Sequence, residues 1–257
     1  MFKINNFQDN DEVKTLDCLG PFTVIEYQRD LSVMPSSAMI AYYSSQMNVR
    51  KRQVICDMSK AGVTLQAGAM QWTVGDVNAT TGIKGVGDFL GKAMRGKVTG
   101  ETAIKPEYTG DGILVLEPTY KHIILMDMAD WDGSVVLDDG LFLACDSRLR
   151  HKAVMRSNLS SAVAGGEGLF NLSLNGSGVF CIESECPKEE LVEIVLQEDV
   201  LKVDGNFAIA WSNSLDFTVE RSGKSLIGSA ASGEGLVNVY RGTGRVLLAP
   251  VAKTPVA

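Results

Sequence analysis

Residues 166–184 read GEGLFNLSLNGSGVFCIES, and the same order of parts returns at 233–250 as GEGLVNVYRGTGRVLLAP and, more loosely, at 100–118 as GETAIKPEYTGDGILVLEP. The first glycines of the three Gly-x-Gly elements, Gly110, Gly176 and Gly242, stand 66 and 66 residues apart. A fixed period of that length marks a repeat architecture, in which small units share a core that none of them buries alone.

Within a repeat the hydrophobic period is that of strands. Apolar and polar residues alternate in Phe170–Leu174 and in Val237–Arg241, the pattern of a half-buried strand. The Gly-x-Gly elements read as hairpin turns, because glycine reaches the positive φ angles such turns need. The apolar runs Ile113–Leu116, Val179–Ile182 and Val246–Leu248 then read as the partner strands.

A second motif lies ahead of each repeat core. LDDGLFLACDS (137–147) and VDGNFAIAWSN (203–213) share Asp139-Gly140 and Asp204-Gly205, and SAMIAYYSS (37–45) reads as a weaker first copy. The first repeat is longer, so it carries an insertion; QWTVGDVNATTGIKGVG (71–87) within it reads as a hairpin plus a long loop. Ahead of each Gly-Glu, the small and apolar stretches 88–96, 158–166 and 225–233 read as short helical turns, with Leu159 and Leu226 each eight residues before the glutamate. The expectation is one compact all-β domain over 1–257. Its three repeats run over about 20–118 (insertion near 62–97), 119–184 and 185–250, with a tail at 251–257.

The GEGL…GxGxVxL repeats with their preceding DG-x-FxA strands resemble the mitochondrial-biogenesis AIM (altered inheritance of mitochondria) family, over about Gly20 to Pro250. The first copy departs from the pattern, with GETAI in place of GEGLF. The resemblance implies a TRAP-like fold, similar to the tryptophan RNA-binding attenuator protein. That is a short β-sandwich related to the double-stranded β-helix, here three times in a pseudo-threefold arrangement. It implies a bacterial member of unknown function and supplies no catalytic residue.

Composition narrows the chemistry. With 24 Lys and Arg against 31 Asp and Glu the net charge is -7, which opposes non-specific binding to nucleic acid or to an anionic bilayer. The N-terminus has neither a secretory apolar run nor an Arg-rich leader, and no stretch approaches the roughly 20 apolar residues of a transmembrane helix. Five scattered cysteines, Cys18, Cys56, Cys145, Cys181 and Cys186, suit reduced thiols in a cytoplasmic protein.

Only two histidines are present. His122, in an apolar strand, reads as an edge or interface residue, and His151, among Arg148, Arg150 and Lys152, as part of a solvated basic strand. No Gly-Lys-Ser/Thr follows a glycine turn, so there is no phosphate-binding loop, and Cys181 with Cys186 lacks a second ligand pair for zinc. Neither a catalytic nor a cofactor-binding residue is expected, and no cofactor.

The repeat-junction motif is Gly100-Glu101, Gly166-Glu167-Gly168 and Gly233-Glu234-Gly235. Its glutamates read as acceptors of backbone N–H bonds that pin one repeat to the next; the alternative is three carboxylates gathered on a pseudo-threefold axis around a hard cation. The basic residues Arg50-Lys51-Arg52 and the cluster Arg148, Arg150, Lys152 and Arg156 read as solvated faces. Trp72, Trp131 and Trp211 read as packing or interface residues. The function expected is a non-enzymatic assembly or partner-binding β protein, a homo-oligomer (trimer or ring) with a possible protein partner. The alternative is an RNA- or small-ligand-binding regulator resembling the attenuator protein.

Overall fold

A computed structural model of the chain describes residues 1–81, 105–155, 170–221 and 236–250. The strands are β1 (Val13–Leu19), β2 (Phe22–Tyr27), β3 (Arg52–Asp57), β4 (Val63–Leu65), β5 (Met70–Thr80), β6 (Glu107–Leu116), β7 (His122–Asp127) and β8 (Ser134–Leu137). They continue with β9 (Phe142–Asp146), β10 (Arg150–Met155), β11 (Phe170–Asn175), β12 (Val179–Ser184), β13 (Val192–Asp204), β14 (Ala208–Ser212), β15 (Asp216–Arg221) and β16 (Leu236–Leu248). One α-helix among the described residues, α1 (Ala38–Gln46), lies between β2 and β3.

The all-β expectation holds, in two sheets. Nine strands run β1-β2-β3-β6-β4-β9-β12-β7, with β5 also on β6, and curl into a nearly closed barrel whose end strands β1 and β7 touch. Seven strands run β10-β11-β8-β14-β16-β13, with β15 also on β16, and form a half-barrel.

The central strands β3, β9 and β14 are short and almost wholly buried, which is why each holds an apolar run, Val54–Cys56, Phe142–Cys145 and Ala208–Trp211, in which alternation is lost. The core follows them. Phe180, Ile182, Leu137, Leu174 and Met128 close one cluster, and Phe22, Leu65, Leu114, Leu116 and Leu125 another. Each fully buried side chain of this size contributes roughly 1.5–3 kcal/mol against exposure.

The Gly-x-Gly elements are not hairpin turns. β6 and β16 run straight through theirs, and β11 and β12 do not pair with each other: β11 lies between β8 and β10 in one sheet and β12 between β7 and β9 in the other. Gly110, Gly176 and Gly242 have φ of 124°, 126° and 116°, so the glycine kinks a strand and passes it from one set of partners to the next. Gly112 adds close approach, since a Cβ there would lie 2.2 Å from the carbonyl oxygen of Val74 on the paired strand. Glycine serves here as a strand corner.

The stretch 37–45 is not a strand. It carries α1, because Ala38, Met39 and Ala41 favour helix, neither glycine nor proline interrupts it, and Asn48 at φ 63° turns the chain out. β3 is paired as β9 and β14 are. Cys56 pairs with Leu114, as Cys145 pairs with Phe180 and Trp211 with Val246; each partner lies four residues past the first glycine of its Gly-x-Gly.

Of the stretch 71–87, residues 82–87 lie outside the described residues, and 71–80 form a single strand with no turn of their own. They belong to β5, which pairs with β6 along its length from Met70–Leu116 to Thr80–Glu107. The expected helical turns at 88–96, 158–166 and 225–233 lie outside the described residues, as does the tail 251–257.

Candidate functional site

β2 and β3 are antiparallel neighbours with Glu26 opposite Arg52, yet their connection is a long excursion that carries α1. From Leu31 to Val49 it contains no Asp, Glu, Lys, Arg or His. Its apolar side chains face outward: Met39, Ile40, Tyr42 and Tyr43 of α1 are 61–72% exposed, and Leu31, Met34 and Met47 beside it 68–78%. No residue of α1 is buried. Of the sixteen large hydrophobic residues exposed among the described ones, eight fall within these 19 residues, so the apolar surface is concentrated as it is at interaction sites.

The base of this arm is as ionic as the arm is not. Arg52, 2% exposed, donates from Nη2 to Glu26 Oε2 at 2.7 Å, to Asn48 O at 3.0 Å and to Asn48 Oδ1 at 2.7 Å. Arg50 Nη1 donates to the second carboxylate oxygen of Glu26 at 2.9 Å, and its Nε to Ser45 O at 3.0 Å in the last turn of α1. The two guanidinium groups therefore saturate one buried carboxylate and hold the returning end of the arm.

A second pair closes the outgoing end. Lys51 Nζ lies 2.6 Å from Asp30 Oδ2, and Tyr120 Oη donates to the same oxygen at 3.3 Å. The hydrogen bond from Lys51 holds the Asp30 carboxyl below its ordinary range and raises the lysine in turn. Burial raises the Tyr27 phenol, which donates to Gln53 Oε1 at 2.7 Å. Arg50, Lys51 and Arg52 thus do not form a solvated basic face. The buried Glu26 and the partly covered Asp30 take up their charge.

Between α1 and this base runs an open cleft of about 490 Å³, bordered by Val33, Met34, Ile40 and Val49 on one side and by Tyr27 and Tyr120 on the other. A second cleft, of about 590 Å³, lies beside Trp131, where Arg245 sits 5.9 Å from the indole ring and bonds Glu193 at 2.8 Å.

The other sequence-predicted residues do not converge on either cleft. Glu101, Glu167 and Glu234, with Gly100, Gly166, Gly168, Gly233 and Gly235, lie outside the described residues. His122 sits on β7, the end strand of its sheet, as an edge residue should, and burial followed by the charge of Arg52 lowers its pKa. His151, Arg150 and Lys152 are exposed along β10, and Arg148 bonds Asp146 at 2.5 Å. Trp131 and Trp211 are buried in the core, and Trp72 packs at a tilt against Phe7 with ring centroids 5.5 Å apart.

Cys18, Cys56, Cys145 and Cys181 carry free thiols, and of the five cysteines all but Cys18 are buried. Burial pushes the Cys145 thiol up to about 12 and raises Cys56 and Cys181 as well, so these sulfurs stay protonated. Among the described residues no three His, Cys, Asp or Glu side chains are arranged to hold a metal ion.

Sequence reading missed the arm, although its signal is plain: nineteen residues without a charge in a chain that is 21% charged. The stretch 37–45 resembles the strand motif of 137–147 and 203–213, and the charge gap around it is what sets it apart.

A family profile described as mitochondrial biogenesis AIM24 matches residues 43–251, so β1, β2 and the first half of α1 precede the matched region. An uncharacterized protein of Streptococcus pyogenes serotype M6 is 30% identical over 201 residues, which is 75% of this chain and 78% of that protein. A crystal structure of a protein from Streptococcus pyogenes superposes with a TM-score of 0.58 at 27% identity, over 80% of this chain and 90% of the other.

Proposed function

The chain belongs to the mitochondrial biogenesis AIM24 family, and from that premise we propose that it is a non-catalytic β protein that works by assembling with a protein partner through the arm at 31–49. One observation carries the reading: half of the large hydrophobic residues exposed among the described ones gather on a charge-free segment whose base is fixed by the buried pairing of Arg52 and Arg50 with Glu26. An apolar arm on a rigid ionic footing is preorganised, so little ordering entropy opposes a partner that covers it. The protonated, buried cysteine thiols and the paired cations of the arm's base leave an assembly face as the better supported use of this surface.

The scaffold reading is a protein of three TRAP-like units. Its support is the 66-residue spacing of Gly110, Gly176 and Gly242, their shared positive φ, and the matched pairings Cys56–Leu114, Cys145–Phe180 and Trp211–Val246. The free thiols of Cys18, Cys56, Cys145 and Cys181 support a reducing, cytoplasmic setting.

The test is a photo-crosslinking amino acid at Tyr42, introduced in the native cell. A discrete covalent adduct is expected on irradiation, whereas the same label at the exposed Lys202 of β13 should give none. Absence of any adduct at Tyr42, with the protein expressed at its normal level, would remove the assembly reading.

A further inference from the structure

We propose that the occupant of the arm is a second copy of this chain, joined arm to arm about a two-fold axis. The inference rests on the assembly reading and names its partner.

Area is the first argument. With roughly 150–200 Å² for a large side chain, the seven exposed at 61–78% in and beside α1 offer about 850 Å² per protomer, close to the ~800 Å² per partner of a standard interface.

Charge is the second. Each chain carries a net -7, so two copies repel over most of their surface. In a two-fold contact each patch meets its own image, and a charge near the axis faces its like. The segment 31–49 has no charge to repel its image, and the cations at its base are already bound to Glu26 and Asp30. Those same paired cations leave little to attract an acidic partner or an anionic bilayer.

Shape is the third. A helix apolar on all sides needs cover on more than one, and α1 has its own cleft on one side and solvent on the rest. A protruding helix and an adjoining cleft of about 490 Å³ in one patch form a knob and a hole, which two-fold symmetry engages twice. Since α1 occurs once per chain among the described residues, this contact closes at two chains and builds neither a trimer nor a ring.

The experiment is sedimentation equilibrium of the full chain at tens of micromolar, with Ile40→Glu and Tyr43→Glu as separate variants. The wild type is expected at twice 27.7 kDa and each variant at the monomer mass, with a dissociation constant at least about 100-fold weaker. No residue of α1 is buried, so the variants should keep the wild-type circular dichroism spectrum, which separates loss of contact from loss of fold. A monomeric wild type, or a dimer that persists in both variants, overturns the proposal. A monomeric wild type whose Tyr42 crosslinks to a different protein overturns self-pairing and leaves the assembly reading standing. Cosedimentation of a monomeric wild type, but not of Ile40→Glu, with phosphatidylcholine–phosphatidylglycerol vesicles overturns it in favour of a lipid surface.

Discussion

Arg52 and Glu26 face each other across the β2–β3 pair with Nη2 2.7 Å from Oε2, and both side chains are at most 5% exposed. The same guanidinium reaches Asn48 and the carbonyl of Tyr120 at 3.4 Å. One buried cation therefore ties the barrel, the end of the arm and the chain entering β7 to a single point.

Removing that cation should cost far more than an exposed ion pair would. Arg52→Met leaves Glu26 buried with only Arg50 as a charged partner, and a broken buried pair costs about 3–5 kcal/mol. Urea denaturation should show a loss of that size, with a smaller loss for the double variant Arg52→Met/Glu26→Gln, because no buried carboxylate is then stranded and the partly exposed Arg50 keeps Ser45 O and Gln28 Oε1. Equal losses in both would show that packing of the arginine stem, and not the pairing, carries the effect.

The strand corners make a second, graded prediction. A Cβ at Gly110 would lie 1.9 Å from the carbonyl oxygen of Asp76, on the strand paired with it, whereas at Gly242 the nearest atom is 3.9 Å away. Both have strongly positive φ, so each alanine substitution carries roughly 1–3 kcal/mol of backbone strain. Only Gly110→Ala adds a clash that must part β5 from β6. Gly110→Ala should be the more destabilising by at least about 1 kcal/mol, read as the difference in denaturation midpoints at constant m-value. Equal effects would mean that φ strain alone sets the cost.

How much of this was legible in the sequence follows from the same residues. Alternation in Phe170–Leu174 and Val237–Arg241 reported strands correctly, although the polar positions do not face solvent: Asn171, Ser173 and Asn238 are buried along with Leu172, Leu174 and Val239. The Gly-x-Gly elements reported a positive φ but not its use. A hairpin and a strand corner place the same demand on glycine, and only the partners of β11 and β12, which lie in different sheets, separate the two. β3 was overlooked because no Asp-Gly turn precedes it. The arm does not recur along the chain, so the repeat pattern carries no signal for α1, and its mark in the sequence is the charge-free stretch 31–49.

Glu220 and Arg241 pair across β15 and β16, with Nη1 2.6 Å from Oε1 and Nη2 2.9 Å from Oε2. The hydrogen bonds from Arg241, then that from Thr218, lower the Glu220 carboxyl from 4.5 to about 2. A depressed carboxylate contributes stability that is present above the unfolded value near 4.5 and is lost as pH falls toward 2. The advantage of the wild type over Arg241→Gln should therefore be largest above about pH 5 and shrink steadily below pH 4. Titration of Glu220 followed by NMR should show its midpoint move back toward the ordinary carboxylate range in the variant. An unmoved midpoint would mean that the pair does not form in solution.

Thiol accessibility tests the core assignment directly. Cys18 is exposed on β1, while Cys56, Cys145, Cys181 and Cys186 are buried, with burial raising the first three of those four thiols above their ordinary range. Reaction with a disulfide reagent needs both access and thiolate. The native chain should release one equivalent of chromophore rapidly and the other four only on unfolding, at a rate that follows denaturant. Cys18→Ser should abolish the fast phase. A second fast equivalent in that variant would place one of the four outside the core, and Cys186, beside the exposed Glu185 and the chain entering β13, is the one whose reaction would locate the opening between β12 and β13.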